Sequence, residues 1–109
     1  MNHNPPFLKK GDAICIIASA RKISKEDLQP AINKFESWGL NVILGNNIFK
    51  QHNQFAGSEI ERISDFQQAL NDVNIKAIII ARGGYGTVRI IDQIDFSFFK
   101  NNPKWMWVS

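Results

Sequence analysis

The chain has 109 residues, 44% hydrophobic and 21% charged, the proportions of about one small globular domain and not of a disordered tail, a fibrous repeat or a multidomain enzyme. Thirteen Lys and Arg against ten Asp and Glu leave a net charge of +3, and no tight basic cluster marks a phosphate-tracking face, so nucleic acid is not an expected partner. Cys15 is the single cysteine, which excludes an intrachain disulfide and a Cys-rich zinc site.

The arm 1–10 carries Pro5 and Pro6 where an export signal needs an apolar core, and no later apolar run reaches membrane-spanning length. A soluble, cytoplasmic protein without a membrane partner is expected. Gly11-Asp12 then supplies a turn, and Ala13-Ile14-Cys15-Ile16-Ile17-Ala18 has the branched, continuously apolar pattern of a strand covered on both faces. Within it Cys15 reads as a buried small hydrophobe, since a reactive thiol needs exposure and a depressed pKa. Ser24 is an N-cap with acidic residues behind it. Leu28, Ala31, Ile32, Phe35 and Trp38 recur at helical spacing as a core stripe, closed by Gly39. Pro30, inside that pattern, implies either a frayed first turn or a kink.

Asn41-Val42-Ile43-Leu44 predicts a second strand. The polar stretch from Gly45 to Gly57, holding His52 and Phe55, is long for an α/β connection and marks a candidate rim of a site. Ser58 and Glu61 stand at capping-box spacing, and Ile63, Phe66, Ala69 and Leu70 form the stripe of a second helix. Lys76-Ala77-Ile78-Ile79-Ile80-Ala81 predicts a strand that runs directly into Arg82-Gly83-Gly84-Tyr85-Gly86. Thr87 to Ile94 predicts a short helix, Phe96 to Lys100 a further turn or helix, and Trp105-Met106-Trp107-Val108 a fourth strand. Two-sided apolar strands alternating with helices imply parallel pairing through helical crossovers, hence a three-layer α/β fold.

In such sheets ligands bind at the carboxyl ends of strands, where residues 82–86 fall. Their three glycines permit close backbone approach, and amides there can point at negative charge. The loop therefore reads as a phosphate cradle, an oxyanion hole or a plain chain reversal. It lacks both the Gly-Lys-Ser/Thr ending of a P-loop and dinucleotide glycine spacing, which disfavours a nucleotide. A serine hydrolase would also need a base, and the two histidines, His3 in the arm and His52 in the long loop, read as solvated surface residues.

Leu8-Lys9-Lys10-Gly11-Asp12, the strand ending Ala18-Ser19-Ala20, Phe55-Ala56-Gly57-Ser58 with Arg62 beyond it, and above all Ala81-Arg82-Gly83-Gly84-Tyr85-Gly86 resemble the N-terminal domain of the LD-carboxypeptidases. This is serine peptidase family S66, which also contains the microcin C immunity peptidases. The likeness runs from Leu8 to Lys104. It implies a flavodoxin-like, mostly parallel sheet truncated after about four strands, with residues 1–109 as the N-terminal domain. It further implies a cytoplasmic bacterial enzyme, homodimeric and without metal or other cofactor, that releases the terminal D-alanine of murein tetrapeptides in cell-wall recycling.

The family triad is Ser, Glu and His. In such proteins the serine sits on a Gly-aromatic-Ser-Asp turn after the strand that follows Asn-Pro-Lys, and the glutamate and histidine come from a separate C-terminal domain. The implied oxyanion and substrate-binding loop is Gly83, Gly84 and Tyr85, with the Gly84 amide as donor. Asn102-Pro103-Lys104-Trp105-Met106 fits the approach to the nucleophile, but Trp107-Val108-Ser109 lacks the flanking glycine and aspartate and places the serine about one residue early. Ser109 is thus either a displaced remnant of the nucleophile or an unrelated serine. Without counterparts of the glutamate and histidine, the 109 residues are expected to be inactive alone. Two alternatives are a free-standing flavodoxin-like module that holds an anionic small molecule on its glycine loop, and a protein that self-associates through an open sheet edge.

Overall fold

The branched runs form strands and the capped runs form helices. A computed structural model describes residues 8–18, 23–49, 58–81, 90 and 92–108. Within them β1 spans Ala13–Ile17, α1 Lys25–Ser37, β2 Asn41–Leu44, α2 Glu59–Asn71, β3 Ile75–Ile80, α3 Ser97–Asn101 and β4 Trp105–Val108. All strands are parallel, in the order β2-β1-β3-β4. The expected α/β class holds, with β1 one residue shorter than its predicted bounds and β3 shifted back by one residue at both ends.

Local chemistry sets the helix ends. Ser24 Oγ accepts from the Asp27 amide at 3.1 Å and Asp27 Oδ2 accepts from the Ser24 amide at 3.4 Å, so α1 opens with a full capping box. Ser58 and Glu61 repeat it on α2, at 3.2 and 2.8 Å. Gly39 takes φ +84°, a left-handed conformation that side-chain-bearing residues avoid. Its amide bonds Glu36 O at 2.9 Å while that of Leu40 bonds Phe35 O at 3.2 Å, which ends α1. Pro30 lies exposed within an unbroken α1, where it forgoes the amide bond to the Glu26 carbonyl. α3 starts from Asp95, whose Oδ1 accepts from the Ser97 amide at 2.9 Å and the Ser97 hydroxyl at 2.6 Å; these bonds hold the Asp95 carboxyl below its usual range.

The sheet separates two apolar layers. On one face Cys15, Ile17, Ile78 and Ile80 pack with Phe66, Ala69 and Leu70 of α2, together with Ile90, Ile94, Phe96 and Phe99. On the other, Ile14, Ile16, Ala77 and Ile79 meet Leu28, Ile32 and Phe35 of α1. That second layer is thinner: among the described residues α1 is its only helix, and its stripe residues Ala31, Ile32 and Phe35 are half-buried. Beside α1 a hollow of about 500 Å³ lies between Ile14, Phe35, Trp38, Leu40, Ile79 and Trp107, with Leu8, Lys9 and Lys10 at one end.

Trp38 is not a core residue, contrary to its spacing in the sequence: it is 55% exposed. It sits at the C-cap with φ −87° and ψ 3°, outside the helical repeat that sets the direction of Leu28 and Phe35. Its ring makes an edge-to-face contact with Phe35, at 5.7 Å between ring centroids. Ile43 likewise projects from edge strand β2 and is exposed.

Candidate active site at the carboxyl edge of the sheet

The order β2-β1-β3-β4 means that the chain leaves β1 toward one side and β3 toward the other. The carboxyl ends of β1 and β3 therefore flank a crevice, the usual ligand position in a doubly wound sheet. Ile17 pairs with Ile80 there, Ile80 pairs in turn with Val108, and the Ala81 amide donates to Ile17 O at 2.8 Å. Three chain exits, after Ile17, Ile80 and Val108, thus stand in one row about 4.8 Å apart. Gly83, Gly84 and Tyr85 follow the middle exit and Ser109 the outer one; these four, with Arg82, lie outside the described residues. So do His3 and His52.

The rim on the β2 side rests on buried polar groups, of which the sequence reading named only Arg62, and that one through the resemblance. Gly45 follows β2 and donates its amide to Ile16 O at 2.9 Å. Asp65 of α2, buried, accepts from the Asn47 amide and the Asn47 side-chain amide, each at 2.9 Å. The start of the long loop is thereby pinned to α2, and Ile48 is driven into the α1-side core. Gly45 permits the approach: a Cβ there would stand 2.7 Å from Asp65 Oδ2. Arg62, one helical turn before Asp65, is buried too. The available signal was spacing, because Arg62 and Asp65 stand at positions i and i+3 on the same face as Phe66 and Ala69.

A third buried charge holds β4. Lys104 is 5% exposed, and its Nζ donates to Ala69 O at 2.8 Å and to Asp72 O. It closes the C-terminal end of α2, where partial negative charge accumulates. Burial pulls its pKa down, with Asp72 acting in the opposite direction. Cys15, buried as the sequence implied, has its thiol pushed up to about 11, first by desolvation and then by the charge of Asp65. That thiol is protonated at neutral pH and is not a nucleophile. No group of three metal-ligating side chains occurs among the described residues, and no helix among them is long and apolar enough to cross a membrane.

Fold and crevice define a doubly wound α/β domain, a class whose ligands bind at the carboxyl ends of the central strands. The LD-carboxypeptidase N-terminal domain model matches residues 14–107, and the chain belongs to that family, peptidase S66. A probable murein peptide carboxypeptidase of Bacillus subtilis is 38% identical over 107 residues, which are 98% of this chain and 34% of the relative. Among solved structures, an MccF-like protein from Bacillus anthracis superposes with a TM-score of 0.84 at 28% identity, over 94% of this chain and 32% of that one. The muramoyltetrapeptide carboxypeptidase of Oxalobacter formigenes gives 0.74 at 32% identity, over 86% and 31%. The chain spans about a third of the length of the curated relatives it matches.

Proposed function

We propose that this chain carries the nucleophile-bearing and oxyanion-bearing part of a serine-type LD-carboxypeptidase that removes the terminal D-alanine of murein tetrapeptides. The observation that carries the reading is the pairing of Ile80 with Val108 in a member of this family, since it favours bringing residues 82–86 and residue 109 to one edge. Ser109 Oγ then attacks the carbonyl that precedes the D-alanine, and the Gly84 amide donates to the developing oxyanion, with Gly83 and Tyr85 shaping the loop. Collapse of the tetrahedral intermediate returns a proton to the departing amine and leaves an acyl-enzyme for water to cleave. The base and its orienting carboxylate, a histidine and a glutamate, come from polypeptide beyond these residues. One oxyanion donor is worth about 3 kcal/mol of transition-state stabilisation. It does not replace a base, without which a serine hydroxyl is a weak nucleophile.

The 109-residue polypeptide is therefore expected to bind a murein tetrapeptide and to release no D-alanine from it. Calorimetric titration with the tetrapeptide, with nucleotides and with flavin separates this reading from a free-standing anion-binding module, which a tight nucleotide or flavin complex would favour. D-Alanine release by the isolated chain at a rate abolished in Ser109→Ala would show that no second polypeptide is needed.

A further inference from the structure

Two chain exits meet the end of β1 from opposite sides. On the β2 side the Gly45 amide donates to Ile16 O at 2.9 Å, and on the β3 side the Ala81 amide donates to Ile17 O at 2.8 Å. The segment after Gly45 then crosses the carboxyl edge from one face of the sheet to the other. Asn47 reaches α2, where Asp65 accepts from its backbone amide and its side-chain amide, each at 2.9 Å. Ile48, the next residue, is buried on the α1 side, in one apolar cluster with Ala18 and Ala81, the residues that leave β1 and β3. Its amide closes the turn on Gly45 O at 3.1 Å.

A buried carboxylate is a costly way to hold a helix. Phe66, Ala69 and Leu70 already seat α2 on the sheet, and the two bonds to Asn47 serve a segment 18 positions earlier in the chain. One carboxylate that binds both the backbone and the side chain of a single residue fixes that residue's orientation as well as its place. The direction of the following side chain is set with it. Gly45 lets the carboxylate come close, since a Cβ there would stand 2.7 Å from Asp65 Oδ2.

We propose that Asp65 is a positioning residue of the crevice: through Asn47 it seats Ile48 against Ala18 and Ala81, and so fixes the point from which the chain leaves β3 toward residues 82–86. The seat stands on this geometry alone; its effect on turnover rests on the catalytic reading, in which that loop supplies the oxyanion donor. Such a donor must meet charge that develops only in the transition state, so a small displacement of its loop lowers kcat more than it weakens substrate binding.

The kinetic test uses a chimera of these 109 residues with the remainder of the Bacillus subtilis relative. Asp65→Asn keeps the shape and sets an amide donor against those of Asn47, whereas Asn47→Ala removes one arm of the pin. Each is expected to lower kcat for D-alanine release about tenfold with KM within about twofold. Asp65→Asn combined with Asn47→Asp restores the pair with donor and acceptor reversed, and is expected to return kcat to within about threefold of wild type. Ile75→Val, buried at the amino end of β3, is the reference for plain loss of stability: a lower urea midpoint and an unchanged kcat. The inference is overturned by unchanged kcat in both single variants, by no recovery in the double one, or by an equal loss of kcat in Ile75→Val.

Hydrogen exchange in the 109-residue chain tests the seat without any catalysis. In Asn47→Ala and Asp65→Asn the Ala81 amide is expected to speed up at least about tenfold more than the amide of Ile78, in the middle of β3. Equal changes at the two amides overturn the inference whatever the chimera does. A chimera that releases no D-alanine, with Ala81 exchange responding as expected, counts against the catalytic reading only.

Discussion

Lys104 departs furthest from what its residue type suggests, because a lysine, a residue almost always exposed, is a buried clasp in the structure. Its ammonium serves two carbonyls at the end of α2, and hydrogen bonds from a charged group to such acceptors contribute about 1.5–3 kcal/mol each way they are lost. Lys104→Met keeps the stem and removes the donor; it is expected to lower stability by about 1–3 kcal/mol in urea unfolding, with the α/β circular dichroism retained. Cys15 gives a pH signature instead. Its thiol is raised from 9.0 to about 11 on folding, so the native state keeps its proton to higher pH than the unfolded chain does. The associated stability is full below pH 9 and is lost as pH rises toward 11, a difference of about 2–3 kcal/mol. Lys104, lowered on folding, acts in the opposite sense below 10.5. The comparison is therefore wild type against Cys15→Ala across pH 8 to 11, where the variant is expected to lack the thiol's share of the decline.

At the scale of elements, what was legible in the sequence is what short-range chemistry dictates. Two Ser-based caps, the left-handed stop at Gly39, three branched runs and one tryptophan-rich run placed α1, α2 and every strand to within a residue or so. What was not legible depends on partners far along the chain: Asp65 meets Asn47 across 18 positions and Lys104 meets Ala69 across 35. A polar residue on an apolar stripe announces burial, but spacing alone does not name what satisfies it. Trp38 failed for a related reason, since periodicity was extended one step past the point where α1 ends. The glycine loop stood out by its place after an apolar strand and by its three glycines, whereas its oxyanion role and Ser109 were implied by resemblance. Two substitutions probe these elements. Gly45→Ala drives a methyl to 2.7 Å from Asp65 Oδ2 and is expected to cost about 1–3 kcal/mol, read as a lowered urea midpoint. Ser58→Ala removes one capping bond and is expected to cost about 1 kcal/mol.

For the molecule as a whole, β1 and β3 are the strands on which the sheet depends. Each is paired on both sides, whereas among the described residues β2 is paired with β1 alone and β4 with β3 alone. Backbone amides sandwiched between two neighbours open only when much of the sheet opens, while a strand with one neighbour can detach by itself. In native-state hydrogen exchange the amides of Ile14 to Ile17 and Ala77 to Ile80 are expected to report the global opening free energy. Those of Trp105 to Val108 should exchange through a smaller, separate opening. Uniform protection across all four strands would show that β4 is clamped as firmly as the centre. If the expected gradient is found, the crevice between the ends of β1 and β3 is the firmest part of the sheet's carboxyl edge, while the strand that leads to residue 109 opens ahead of it.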